Sequence, residues 1–417
     1  MDSEENSCPT TGGLREDSGF NPGFHFHDLI VHPSQNWHIW GWMLCLLLLV
    51  ITWIAVLVNI GRHLRNYYDP EIQRHKLRVL LYPPVYATLA WFSYLRYDYS
   101  TTIMFFATLF ESFAVYNLYT CLQAYLAPYR EEVGSAKIPI TTKVFGMFTV
   151  KLKSKFGMHY RIITDILVLQ YPVWAIIDAL VSIITEVKGY YCGESYSFRG
   201  AYVYLTIINF TSLSIILSAL FVYLAVFHDQ WQQGGIRAHG MFWCVKGPIM
   251  FIFYVGEILL TILETVGVIK GTDGTNSSDG LAWPSAAVKN GLYVIIICAV
   301  MCVASFLMLR FFGPQDALVK HEEEDAPRMS GWTALVDGYL SYLPEFFHNV
   351  LLCGVDSYRL ARKRAELRSR RKQKDMYSAV DNGSQHALSS VMHENKDVFN
   401  ETTTPYPPSS NAYSHHV

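Results

Sequence analysis

Apolar positions in this chain gather into seven runs of about 20 residues or more, at about 38–60, 77–97, 103–126, 162–186, 201–227, 243–269 and 286–311. Each run is long enough to cross the roughly 30 Å hydrocarbon core of a bilayer as a helix. A helix at the surface of a soluble protein keeps a polar face, whereas these runs are apolar nearly all round. The pattern predicts an all-α polytopic membrane protein, with seven transmembrane helices occupying residues 38–312.

The flanks read differently. Residues 1–37 are polar and rich in His, Gly and Pro. They carry no basic stretch followed by a short apolar core, so no cleavable signal is expected and the first run acts as its own insertion signal. His25, His27 and His32 read as part of a disordered extracytoplasmic tail rather than as a metal site. In the 313–353 region, Leu335, Val336, Tyr339, Leu340, Leu343, Phe347, Val350 and Leu351 recur at three- and four-residue steps. That spacing predicts an amphipathic helix, interrupted near Pro344, lying either along the inner leaflet or packed under the bundle. Residues 354–417 begin with a basic cluster that includes Arg368, Arg370, Arg371 and Lys372, then become a Ser/Pro-rich disordered tail. Basic residues beside a membrane are drawn to anionic lipid by about 1 kcal/mol per charge. Inner-leaflet lipid is therefore an expected partner.

Composition agrees: 51% hydrophobic against 16% charged residues is too apolar for an ordinary soluble domain. No basic footprint for nucleic acid appears in the body of the chain. Orientation follows from Lys and Arg, which concentrate on the cytoplasmic side. Three connections hold Arg62, Arg65, Arg74 and Lys76, then Arg130 through Arg161, then Arg237 and Lys246, and the opposite side holds fewer. The N-terminus is expected outside or in the lumen, and the C-terminus in the cytoplasm. That topology makes Asn276, in KGTDGTNSSDG, the glycosylation acceptor. Cys8 and Cys192 fall on the oxidising side, where a disulfide between them is an open option. No cysteine spacing suggests a metal, and no cofactor is expected.

Ionisable and amide groups inside the spans point to a site, because each is costly there unless paired or wet. The third span has Glu111 and Asn117, the fourth Asp165, Gln170 and Asp178, and the fifth Asn209. The sixth has Lys246, Glu257 and Glu264. At 100° per residue these three share one face, about 20° apart at each step. Glu257 lies about 21 Å along the helix from Trp243, near mid-bilayer. A carboxylate at that depth costs roughly 3 kcal/mol. It is expected to face the bundle interior, either as part of a pathway bounded by spans three, four and six or as a hydrogen bond between helices.

With these stretches in view, the chain resembles the family of the organic solute transporter alpha subunit and transmembrane protein 184. The resemblance rests on RHKLRVLLYPPVYA, ESFAVYNL, LQYP, INFTSLS and CVKGPIMFIF followed by ILETVG. Glu111, Tyr116, Asn117, Gln170, Tyr171, Asn209, Lys246 and Glu264 correspond to family features. The chain departs from the family at Asp165, where a lysine is usual, at Val255, where a glutamine is usual, and at Val300, where a glutamate is usual. It also lacks the dense cysteine cluster of animal alpha subunits, with Cys121 alone in that neighbourhood. It is a divergent member. The resemblance implies facilitated flux of a steroid-like or organic-anion-like amphipathic solute. It also implies a small single-span partner subunit, or a homo-oligomer, at the plasma membrane or an endomembrane such as the vacuole or endosome.

Other classes fit less well. A G-protein-coupled receptor would show a cysteine at the outer start of the third span, a DRY after it and an NPxxY in the seventh, and none is present. No HExxH, phosphate loop or nucleophile elbow marks an enzyme. A membrane scaffold for vesicle traffic or signalling, working through the basic tail, remains the alternative to a carrier.

Overall fold

A computed structural model describes residues 26–31, 36–95, 100–133, 140–144, 148–152, 158–188, 190–191, 198–271, 285–316 and 328–340. All belong to one compact unit within residues 1–357. The helices run α1 (Phe26–Val31), α2 (Trp37–Arg65), α3 (Pro70–Leu80), α4 (Tyr82–Leu95), α5 (Ser100–Tyr125), α6 (Ala127–Val133), α7 (Met158–Val187), α8 (Ala201–Val226), α9 (His228–Gln233), α10 (Ala238–Phe251), α11 (Leu260–Thr265) and α12 (Ser285–Phe311). A π-helical stretch, Ile252–Leu259, joins α10 to α11. Beyond α12 come a short helix, Gly331–Leu335, and a π-helical turn, Val336–Leu340.

The membrane-spanning architecture is all-α, as expected, and one short hairpin lies in a connection: Ile140–Val144 and Phe148–Leu152 pair antiparallel with Thr142 opposite Val150. The strands read ITTKV and FTVKL, rich in the β-branched residues that fit a pleated backbone.

Among the described residues, five helical segments are long and apolar enough to cross a membrane: Trp37–Arg65, Tyr160–Val187, Ala201–Val226, Ala238–Thr265 and Ser285–Phe311. The second expected run is divided. Pro83 and Pro84 have no N–H to offer the preceding turn, and the helix breaks at Leu81 between α3 and α4. With 14 residues, α4 is only about 21 Å long, so it needs the end of α3 to approach the bilayer thickness. In α5 the polar residues Glu111, Asn117, Thr120 and Gln123 dilute the apolar content.

Which face each helix buries follows from its polar side chains. On α2, Leu44, Leu47, Ile54 and Leu57 form an exposed apolar stripe, a surface suited to lipid and not to water. The opposite face buries Thr52, Asn59 and His63. There Asn59 donates to the Met308 carbonyl at 3.1 Å, and His63 Nε2 lies 2.6 Å from the Phe312 carbonyl oxygen, tying α2 to the end of α12. At the other end of the same layer, Tyr94 of α4 donates to the His38 carbonyl at 2.8 Å. Trp42 and Trp91 stack at 5.1 Å. Gly41 lets Tyr94 come this close, since a Cβ there would lie 2.8 Å from the phenol oxygen.

The turn Val336–Leu340 packs beneath the bundle against α3. Arg78 donates to the carbonyls of Gly338 at 2.7 Å and Asp337 at 3.2 Å, and Tyr67 donates to Asp337 at 2.7 Å. Trp332 nevertheless stays largely exposed, so this segment has both a docked face and a free apolar one.

Candidate functional site

The innermost charges come from α5 and α10. Glu111 is 6% exposed and Lys246 fully buried. Between them stands Tyr171 of α7. Its phenol donates to Glu111 Oε1 at 2.5 Å, and Lys246 Nζ sits 5.1 Å from its ring centroid. Glu111 and Lys246 interact electrostatically, so each offsets the cost of burying the other. Lys246 Nζ has no hydrogen-bond acceptor among the described residues. Pro172 follows Tyr171, and Pro248 lies two residues past Lys246. Neither proline donates to the helix ladder, so both helices lose a backbone bond next to this pair.

Glu111 also borders a cavity of about 220 Å³. Asp178, Asn209 and Glu257 line the same cavity, from α7, α8 and the π-helical stretch. Tyr86, Tyr171, Tyr191, Tyr202 and Tyr293 supply aromatic walls, and Leu205, Leu213, Ile249, Ile252 and Phe253 supply apolar ones. Tyr202 donates to Glu257 at 2.6 Å. Tyr191 packs edge-on to Tyr202 at 5.5 Å and lies within electrostatic reach of both Asp178 and Glu257. Asp178 Oδ1 is buried with no hydrogen-bond partner among the described residues. Beyond α5, α7 and the Ile252–Leu259 stretch, α8 contributes Tyr202 and Asn209, α12 contributes Tyr293, and α4 contributes Tyr86.

The sixth helix does not carry one continuous polar stripe. A π-helical turn rotates less per residue than an α turn, so the stretch Ile252–Leu259 changes the phase of everything beyond it. Glu264 turns to α12, where it pairs with Lys289 Nζ at 2.8 Å and accepts from Ser285 at 3.0 Å. Lys246 and Glu257 look toward α5, α7 and α8.

Other expected residues lie apart from the cavity. Asp165 accepts hydrogen bonds from Tyr119 at 2.6 Å and Gln123 at 3.0 Å, with Arg161 at 3.8 Å. Gln170 exchanges hydrogen bonds with Ser212, donating to its carbonyl at 3.0 Å and accepting from its hydroxyl at 2.8 Å, which staples α7 to α8. Asn117 is fully buried and donates to the Phe113 carbonyl at 2.9 Å. Asn276, Cys8, Cys192 and the basic cluster Arg368, Arg370, Arg371 and Lys372 lie outside the described residues.

A second polar centre, not anticipated from the sequence, closes the end of the bundle where α3 meets the chain after α12. Lys76 donates to Asp316 at 2.9 Å and to the Gly313 carbonyl at 3.0 Å, and Tyr125 also donates to Asp316. Burial alone would raise the Asp316 carboxyl, but the Lys76 charge and these hydrogen bonds hold it below the usual range. Nearby, Thr120 lies 3.1 Å from His75 Nδ1. Burial first, then the Arg78 charge, pushes His75 down to about 4. Gln73 accepts from the amides of Tyr68 and Asp69 and donates to the Asn66 carbonyl, fixing the entry into α3.

Among the described residues, no group of three His, Cys, Asp or Glu side chains is placed to hold a metal ion. No solved structure matches the chain. The family described as Organic solute transporter Ostalpha matches it over residues 41–317. That range runs from α2 past the end of α12 and takes in both polar centres. The chain is an integral multi-pass membrane protein and belongs to the organic solute transporter Ostalpha family.

Proposed function

We propose that the protein carries an amphipathic organic solute across its membrane by facilitated flux through the Glu111–Glu257 cavity. The observation that carries this reading is the convergence of Glu111, Asp178, Asn209 and Glu257, from four separate segments, on one space walled by tyrosines and aliphatic side chains. Ligand sites are concave and mostly apolar, with a few polar groups that fix orientation. In a membrane, polar groups turned toward a cavity mark a pathway by default.

The reading includes seven spans, with the end of α3 and the whole of α4 acting together as the second and α5 as the third. The N-terminus lies outside and the C-terminus in the cytoplasm. Arg62 and Arg65 end α2 beside the basic helix α3, which is the charge bias expected of a cytoplasmic face. Glycosylation at Asn276 follows from this topology. Mutating Asn276 should remove any glycan mobility shift, and a C-terminal tag should resist protease in intact cells. Arg368, Arg370, Arg371 and Lys372 would hold the tail on anionic lipid. A small single-span subunit is the partner that family membership suggests.

The test is flux of labelled amphiphiles into proteoliposomes holding the purified chain, alone and with candidate single-span subunits. Saturable flux that Glu257→Gln abolishes, with the variant still inserted, supports the carrier. Absence of flux under both conditions overturns it and leaves a scaffold.

A further inference from the structure

The cavity has a one-sided charge. Its carboxyl walls are Glu111, Asp178 and Glu257, and no Lys, Arg or His lines it among the described residues. The Lys246 charge is already committed to Glu111 across the Tyr171 ring. Asp178 and Glu257 have no counter-charge among the described residues. Glu257 accepts one hydrogen bond, from Tyr202, and Asp178 Oδ1 is buried without any among the described residues. A carboxylate taken from water without a partner costs several kcal/mol or more. A bound cation would remove that cost.

The other walls suit the same ligand. An ammonium is attracted to the face of an aromatic ring, and several rings around one space recognise quaternary ammonium groups. Tyr191, Tyr202 and Tyr293 stand around Glu257: Tyr202 donates to it, and the other two feel its charge. Ile249, Ile252 and Phe253 provide an apolar flank for the rest of the molecule. An organic anion would meet two unbalanced carboxylates of its own sign, and like charges at close quarters cost several kcal/mol.

We propose that this cavity binds a lipophilic organic cation, an ammonium on a small apolar body, with Asp178 and Glu257 as counter-charges and tyrosine faces around the head. The proposal narrows the transport reading above and rests on it for the use of the site, though not for its chemistry.

The test is equilibrium binding to the full chain in neutral phosphatidylcholine nanodiscs. The probes are benzyltrimethylammonium and phenylmethanesulfonate, similar in bulk and opposite in charge. Saturable binding of the cation alone is expected. Asp178→Asn and Glu257→Gln should each weaken it at least tenfold. Tyr293→Phe should keep the affinity while Tyr293→Leu loses it, a contrast that survives if either carboxylate variant fails to fold. Saturable binding of the anion in preference to the cation, or no saturable binding of the cation, overturns the proposal. Flux separates the two readings. Binding of the cation with no flux of any amphiphile leaves the site and removes the carrier, while a steroid sulfate carried without competition from the cation leaves the carrier and removes the site.

Discussion

Tyr202 and Glu257 meet across the cavity at 2.6 Å, one on the first turn of α8 and the other inside the π-helical stretch that follows α10. This hydrogen bond holds the Glu257 carboxylate toward the interior of the bundle. Tyr202→Phe should cost about 1 kcal/mol of stability, the scale of interhelical hydrogen bonds in bilayers. Glu257→Gln should fold and reach its membrane but lose flux, because it keeps the shape and loses the charge. Melting temperature and proteoliposome flux, measured together, check both. If the two variants lose stability and keep flux, the bond is structural only.

The Lys76–Asp316 pair predicts an asymmetry. The Lys76 side chain is 2% exposed and that of Asp316 48%. Asp316→Asn strands a buried ammonium, whereas Lys76→Met leaves a carboxylate that water can reach. The first should cost about 2 kcal/mol or more, somewhat screened because Asp316 is half-exposed. The second should cost less, and the double variant should recover part of the loss from Asp316→Asn. Thermal melts of the four proteins in one detergent form the cycle.

His75 predicts how stability depends on acid. Its folded value of about 4 lies below the ordinary 6.5, so the unfolded chain binds the proton first. The stabilisation is complete above about pH 6.5 and is lost as pH falls from there toward 4. Asp316, held below the usual carboxylate range, loses its contribution only at still lower pH. Melts between pH 7.5 and 4.5 should therefore show a decline that His75→Gln makes shallower. An unchanged slope in that variant would assign the decline to another group.

Close packing at the end of α12 gives a further prediction. A Cβ on Gly240 would lie 2.1 Å from a ring carbon of Phe311. Gly240→Ala must displace that ring beside the fully buried Phe312, at a cost of about 1–3 kcal/mol. Pairing it with Phe311→Leu should recover much of the loss, as read by melting temperature.

Much of the fold was legible because bilayer thickness and hydropathy fix helix length. Among the described residues the apolar runs fall largely on helix, and the break at Leu81 is announced by Pro83 and Pro84. The hairpin also had a signal, the β-branched alternation around Thr141 and Val150, but it lay in a connection read only for its charge. The site was legible in part. Glu111, Asp178, Asn209 and Glu257 stand out because ionisable and amide groups are rare in hydrocarbon. Tyr86, Tyr191, Tyr202 and Tyr293 do not stand out, since tyrosine is common in cores and at membrane interfaces alike. Nor does spacing reveal that Gln170 meets Ser212 or that Lys76 meets Asp316, because those pairings depend on which helices become neighbours.

Ile252–Leu259 carries a consequence for chain length. A π-helical turn holds one residue more than an α turn of the same sweep. Removing a single residue there would let the helix close to regular α geometry, with Lys246 still facing α5 and α7 and Glu264 still meeting Lys289. The same deletion within α10, below the π turn, would rotate one half against the other by about 100° and part those contacts. The stretch that presents Glu257 is thus the one place in this helix where the chain has a residue to spare.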